Sequence, residues 1–421
     1  MTHRWRRTIT AESATPRDSA LLPVLVAVVA AMTAAMRAQY GPGVTICLIA
    51  GVVLAPMWVT NLKRFRRARS LLLVGAGAVA WGAALTQLDS GRSSSTSLLI
   101  AQTLMMLSFL CSIGMLLWAR SLIGTGATIV AFGVGGLVNI VLTGGNPANL
   151  WKYSLAIPVA LILLGIAAMR NSRILELIAL VTVAGVSAIS DSRSMTAFLL
   201  LTAVLVLWQM TSGGTGRLRP RPWQTILGLA ALGLSVFLLF QALILDGVLG
   251  EAAAERTQAQ IDTSGSLLAG GRPEMGAAVG LISAQPWGYG SGTVPTSNDV
   301  WLAKTGMSAL NYDPNNGYVE RYMFGGQFEV HSVLGDLWIR YGPLGAVFAL
   351  AICVLAVYAT ARHVSLRTAS AALIFLTALG VWDTFFSPLL TSYTTLALMA
   401  ALALAPSTAR SRRGSRSPSA S

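Results

Sequence analysis

Side chains able to do acid–base or anion chemistry are sparse in this 421-residue chain, and a few of them stand in informative places. There are three histidines: His3 in the N-terminal tail, His363 in a short link, and His331 at the end of the longest polar stretch. An imidazole titrates near neutral pH, which suits His331 to general-base work. Its plain structural role would be to start a helix at a membrane interface. Arg193 sits in Ser190–Ser194 (SDSRS), a very short turn between two apolar runs. A guanidinium matches phosphate oxygens bidentately, and serines at the start of the next helix add hydroxyl and backbone N–H donors. Its ordinary partner would be Asp191. Arg272, in Gly270–Glu274 (GGRPE), is a second cationic point, just before a helical stretch over Met275–Ser283. There, too, Pro and Glu can simply be the punctuation of a helix start.

Three further residues are weaker candidates. Arg321, between Tyr318 and Tyr322, reads as loop surface. Arg340 lies two turns into an apolar helix, where an arginine is a functional-site hypothesis by default. Asp336, four residues earlier, is placed to pair with it, which favours a structural role for both.

Other chemistries find no foothold. No His, Cys and carboxylate residues fall at metal-ligand spacing, so no metal and no cofactor is expected. No GxSxG, P-loop or GxGxxG motif opens a helix. The three cysteines, Cys47, Cys111 and Cys353, lie inside apolar runs and offer no disulfide framework.

The elements that must position these residues are membrane spans. Apolar residues make up 54% of the chain and charged residues only 11%, against about 25% charged in a soluble domain. Runs of about 20 apolar residues match a hydrocarbon core of about 30 Å. The expectation is an all-α polytopic membrane protein with about twelve transmembrane helices, over 21–38, 42–60, 70–88, 97–118, 122–142, 152–169, 173–190, 194–210, 223–245, 332–360, 369–386 and 388–406. The first is not read as a cleavable signal, because no small-residue cleavage site follows it. With the N-terminus inside, 21 of the 30 basic residues fall on the cytoplasmic side, in links such as Lys63–Arg69 and Arg217–Arg221 and in both tails. The net charge of +14 is therefore an orientation signal in a cytoplasmic membrane, and no nucleic-acid partner is expected. Arg193 runs against that preference, being on the outer side.

Five segments follow: a basic cytoplasmic tail (1–20), nine spans (21–246), an extracytoplasmic loop (247–331), three spans (332–406) and a second basic tail (407–421). The loop holds eight acidic residues against four basic ones. It opens with a polar helical stretch, Gly250–Gln260, and continues through turn-rich GSLLAGG, WGYGSG and DPNNG. Without cysteines, such a loop must be ordered by packing on the membrane domain or by a ligand.

Three stretches together resemble the O-antigen ligase and O-antigen polymerase superfamily of bacterial membrane glycosyltransferases. Ser190–Leu199 (SDSRSMTAFL) is similar to that family's Ser-Arg turn and the helix after it. Gly271–Gly292 (GRPEMGAAVGLISAQPWGYGSG) resembles its Arg, amphipathic helix, Pro, then Gly-X-Gly. His331–Gly345 (HSVLGDLWIRYGPLG) resembles its His-started helix carrying Gly-X-X-Gly. Ser332 replaces a common Asn, and Pro273 replaces an aliphatic or aromatic residue. The likeness covers about residues 175–360. It implies a GT-C-like helical fold and metal-independent, inverting transfer of a glycan from a polyprenyl-diphosphate carrier to an acceptor hydroxyl at the outer leaflet. The partners implied are that lipid-linked donor, a glycan or glycolipid acceptor, and the bilayer itself. Arg193 and Arg272 would hold the diphosphate and His331 would act as base. A transporter or flippase of lipid-linked glycan is the alternative; Glu176 and Asp383 are the main acids within spans that such a carrier could use.

Overall fold

A computed structural model describes residues 18–89, 91–211, 221–246, 251–264 and 272–407. Among these the chain is all helix, apart from isolated bridges such as Ser94 with Thr293. Helices are the form that satisfies every backbone group within lipid. In chain order they are α1 (Asp18–Thr33), α2 (Ile46–Val53), α3 (Ala55–Asn61), α4 (Ala68–Leu88), α5 (Thr96–Thr143), α6 (Ala156–Met169, after a π-helical start from Trp151), α7 (Arg173–Ile189), α8 (Arg193–Thr211) and α9 (Pro222–Leu245). Then come α10 (Glu251–Ser264), α11 (Glu274–Ala284), α12 (Ser297–Ser308), α13 (Val333–Ser365), α14 (Ala371–Phe386) and α15 (Leu389–Ala403).

A helix or part of one lies in each of the twelve apolar segments. Among the described residues, six helices are long and apolar enough to cross a membrane, or seven if α2 and α3, bent by 72°, count as one. The expected spans 97–118 and 122–142 are two halves of α5, broken at Gly124, whose φ of 78° leaves the helical region. The chain is thus a helical protein with several helices of membrane-spanning length and apolarity. Its outward faces are rich in Leu, Val and Ile, among them Leu21, Leu22, Val53 and Leu73, as a lipid-facing surface requires.

Two cores organise the molecule. The larger runs through α1, α4, α5, α8 and α13–α15, with Phe109, Phe348 and Tyr393 in mutual ring contact. The second is made almost wholly of residues from the polar stretch: Ala277 and Leu281 of α11, Tyr289, Met307 of α12, Val319, Phe324, Phe328 and Val330, seated on Ile339 of α13. Packing orders this part of the stretch, and all three cysteines are free and buried. The sequence reading placed the helix of residues 275–283 but not α12. Thr296 and Asp299 form a capping box that starts it.

The WGYGSG turn fastens this outer core to the spans. Tyr289 N–H donates to Ile339 O (2.7 Å), Ser291 N–H to Gly82 O (3.0 Å) and Gly292 N–H to the Thr86 hydroxyl (2.9 Å). The Trp338 indole donates to Pro286 O (2.8 Å). Gly288 has φ 92°, and a Cβ on it would meet the backbone of Gly342 and Trp338. Opposite it, α13 is broken at Gly342 (φ 63°, ψ −159°), followed by Pro343. That conformation is open almost only to glycine. The Gly-X-X-Gly of the third stretch is therefore a joint where the turn docks.

Candidate functional site

His331 directly precedes Ser332, the cap of α13, and its φ of 49° is a left-handed conformation unusual for a side-chain-bearing residue. Ser332 caps α13 by accepting from Gly335 N–H, and donates its own hydroxyl to Thr384 O (3.2 Å) of α14. Those bonds fix the imidazole at the junction of the outer core and the spans.

Glu274, the first residue of α11, meets it there. Its Oε1 accepts from the Tyr318 hydroxyl at 2.6 Å and lies 3.5 Å from His331 Nδ1. Tyr318 Oη is also 3.0 Å from Nδ1. The phenol has one proton and gives it to the carboxylate, so Nδ1 must be the donor toward Tyr318; the tautomer is assigned on that ground. Nε2 then carries the free lone pair of the neutral ring. Glu329 Oε1 stands 3.9 Å from Nε2.

Electrostatics follow from this contact. Burial opposes a charge on His331, but the hydrogen bond and charge of Glu274, with Glu329 and Asp336 behind it, raise its pKa above the ordinary value. Burial likewise pushes Glu274 up, and the hydrogen bonds from His331 and Tyr318 outweigh it, so its carboxyl sits below the usual range. Tyr318 is held well above a free phenol, by burial and then by the Glu274 carboxylate. Glu329 is raised, mainly by burial and then by Asp336. The other Glu274 oxygen, Oε2, is buried and has no hydrogen-bond partner among the described residues.

Arg272 reaches the same cluster. Its guanidinium lies 5.5 Å over the Trp382 ring of α14, and its charge acts on both Tyr318 and Asp383. Asp383 is buried and accepts from Ser387 Oγ at 2.6 Å. Arg272, Glu274, Tyr318 and His331 thus converge from three separate segments of the chain.

Arg193 is joined to this group only indirectly. Its Nε pairs with Asp191 at 3.5 Å, its expected ordinary partner, and Lys152 approaches the same carboxylate at 3.9 Å. No hydrogen bond or ion pair links Arg193 to Arg272 or His331 among the described residues. The helix it starts, α8, does touch the cluster: Phe198 packs on Trp382 with centroids 5.8 Å apart. Phe198 is five positions after Arg193, about 7.5 Å of helix rise.

The weaker candidates resolve differently. Arg321 is exposed in the π-helical turn Val319–Met323. Arg340 and Asp336 are buried, and their mutual approach of 4.0 Å is the loosest of their contacts. Asp336 accepts from Val330 N–H (2.8 Å) and Leu389 N–H (2.9 Å), tying the outer core to α15. Arg340 donates to Phe328 O through Nε and Nη2, and to Gln102 Oε1 (2.9 Å) through Nη1. Both residues are buried struts. A polar chain nevertheless continues from them: Gln102 donates to Gln327 (2.7 Å), and Gln327 to Glu329 (3.1 Å), which faces His331.

Glu274, Tyr318, Glu329 and Trp382 were not singled out from sequence. Glu274 read as helix punctuation, and Tyr318 stands in a segment with no motif. Only Glu329, two residues before His331, carried a local signal. Among the described residues no three His, Cys, Asp or Glu side chains converge to hold a metal ion. Comparison with known protein families, curated proteins and solved structures finds no match to this chain.

Proposed function

We propose that this chain is a polytopic membrane glycosyltransferase, moving a glycan from a polyprenyl diphosphate to an acceptor hydroxyl at the outer face of the cytoplasmic membrane. The observation that carries the reading is the partly buried Glu274–Tyr318–His331 contact with the Arg272 guanidinium beside it. It supplies, in one place, an oriented base and a fixed cation. The ordered likeness of three stretches to O-antigen ligases and polymerases supports the same reaction. The topology that goes with it has twelve spans, both termini inside and the 247–331 stretch outside, as the basic links argue.

In this mechanism the acceptor hydroxyl gives its proton to His331 Nε2 as its oxygen attacks the anomeric carbon. The bond from that carbon to the diphosphate oxygen breaks, and the electron pair leaves with the diphosphate. Attack from the opposite side inverts the anomeric centre. Arg272 stabilises the charge on the departing diphosphate, the task a metal ion performs elsewhere. Arg193 is a second cation for the same group, since its pairing with half-exposed Asp191 is of the weak surface kind. Glu274 and Tyr318 hold the ring with Nε2 toward substrate.

The test is reconstitution in vesicles with a polyprenyl-diphosphate-linked glycan and an acceptor. Transfer by the wild-type chain, lost in His331→Ala and Arg272→Ala at equal protein level, is the expected result. Full transfer by Arg193→Ala, Arg272→Ala and His331→Ala would sink the assignment. A flippase reading has its own observation, the 72° bend between α2 and α3 and the break in α13. Leaflet translocation without a new glycosidic bond would favour it.

A further inference from the structure

The far end of α13 carries a site of a different character. From Pro343 to Ser365 the helix rises roughly 34 Å, enough to cross a hydrocarbon layer of about 30 Å. Its end therefore lies at the membrane face opposite His331. A cavity of about 620 Å³ opens there between the last turns of α13, the end of α15 and the link before α4. Arg66, Arg67, Arg362 and His363 line one part, and Val354, Leu355, Tyr358 and Ala359 line the other.

Its charge is uncompensated. No Asp or Glu lines the cavity, and Arg66, Arg67 and Arg362 have no side-chain ion pair or hydrogen bond among the described residues. The carbonyls that end α15 would be the natural internal acceptors, but Arg120 occupies them. Its Nη1 donates to Ala401 O (2.6 Å) and Leu404 O (2.9 Å), with its guanidinium over Phe65. Residues 408–421 add Arg410, Arg412, Arg413 and Arg416 and no acid. The apolar part is open sideways: Val354 is 65% exposed and Tyr358 49% exposed on the face of a membrane helix.

We infer that this cavity is a binding site for an anionic phospholipid of the leaflet opposite His331, its phosphate held by Arg66, Arg67 and Arg362 and its acyl chain laid along Val354 and Tyr358. Arginine forks suit phosphate oxygens, and the lateral apolar wall suits a hydrocarbon tail rather than a free ion. The inference does not depend on the transfer reaction.

The test is native mass spectrometry of the purified full chain, titrated separately with phosphatidylglycerol, phosphatidylcholine and inorganic phosphate. The expected result is one saturable phosphatidylglycerol, with neither of the other two retained. In the double variant Arg66→Gln, Arg362→Gln that affinity should fall at least about tenfold, as expected for removing two cations from an anionic headgroup. Arg69→Gln, an exposed basic residue on the same side that does not line the cavity, should leave it unchanged. Circular dichroism checks that each variant is folded, and Arg362→Gln alone serves if the double variant is not. Equal retention by the double variant, an equal fall in Arg69→Gln, or binding of inorganic phosphate alone would each overturn the inference.

Discussion

Glu274 and His331 are 57 residues apart in the chain, yet Glu274 Oε1 lies 3.5 Å from His331 Nδ1, with the Tyr318 hydroxyl bridging the two. The contact fixes a tautomer, and the tautomer decides which nitrogen faces substrate.

His331→Ala is expected to lower transfer by about 10²- to 10⁴-fold, the usual contribution of a general base. Because His331 ends a polar segment rather than filling a core, protein level should change little. Turnover of lipid-linked glycan per milligram of reconstituted protein measures this; near wild-type turnover would exclude the base role.

Glu274→Gln tests the electrostatics. A base must be unprotonated, so activity should rise with pH through the elevated pKa of His331. Removing the carboxylate withdraws the largest influence that raises it. The rising limb of the pH–rate profile should therefore move to lower pH in Glu274→Gln, while the maximal rate falls because the ring is no longer held. An unmoved limb would show that Glu274 does not act through His331.

The same pair makes a pH-dependent contribution to stability. His331 has a raised folded-state pKa, so its contribution is full below its ordinary 6.5 and is lost as pH rises through the raised value. Glu274 has a lowered one, so its contribution is full above its ordinary 4.5 and is lost as pH falls through the lowered value. Both are complete between those two ordinary values. Thermal midpoints of the wild type should carry a component that peaks in this window, and Glu274→Gln should flatten it.

Gly342→Ala should be severely destabilising. The added Cβ would meet Trp287 O and the Trp81 indole, in a backbone conformation that alanine resists. Strain and overpacking together amount to about 2–6 kcal/mol. Gly228→Ala in α9, where the Cβ meets nothing within 4 Å, is the control and should be neutral or slightly stabilising. Thermal unfolding in detergent compares the two.

Arg340→Ala separates strut from catalyst. It leaves Phe328 O and Gln102 without their donor and Asp336 without a nearby positive charge, a change that costs about 3–5 kcal/mol for a buried ion pair. Folded protein should become scarce, while the fraction that folds keeps the wild-type pH–rate profile. A normal yield with abolished turnover would instead place Arg340 at the reaction.

Sequence alone determined the class of the molecule, because a chain with so few charges and so many apolar runs can satisfy its backbone in lipid only as helices. It also marked His331 and Arg272 by type and position, and placed Asp336 within pairing reach of Arg340, since a four-residue spacing on a helix is local information. It gave Arg193 an ordinary partner, Asp191, which the structure also shows. Tertiary structure decided what no local pattern holds. It brought Glu274 and Tyr318 onto Nδ1, placed Trp382 of α14 under Arg272, and left Arg193 one ring contact away through Phe198. It also turned a Gly-rich turn into the clasp between two cores. Such pairings join residues tens or hundreds of positions apart, and only the packing of α11 on α13 and the docking of the Trp287–Gly292 turn at Gly342 set their distances.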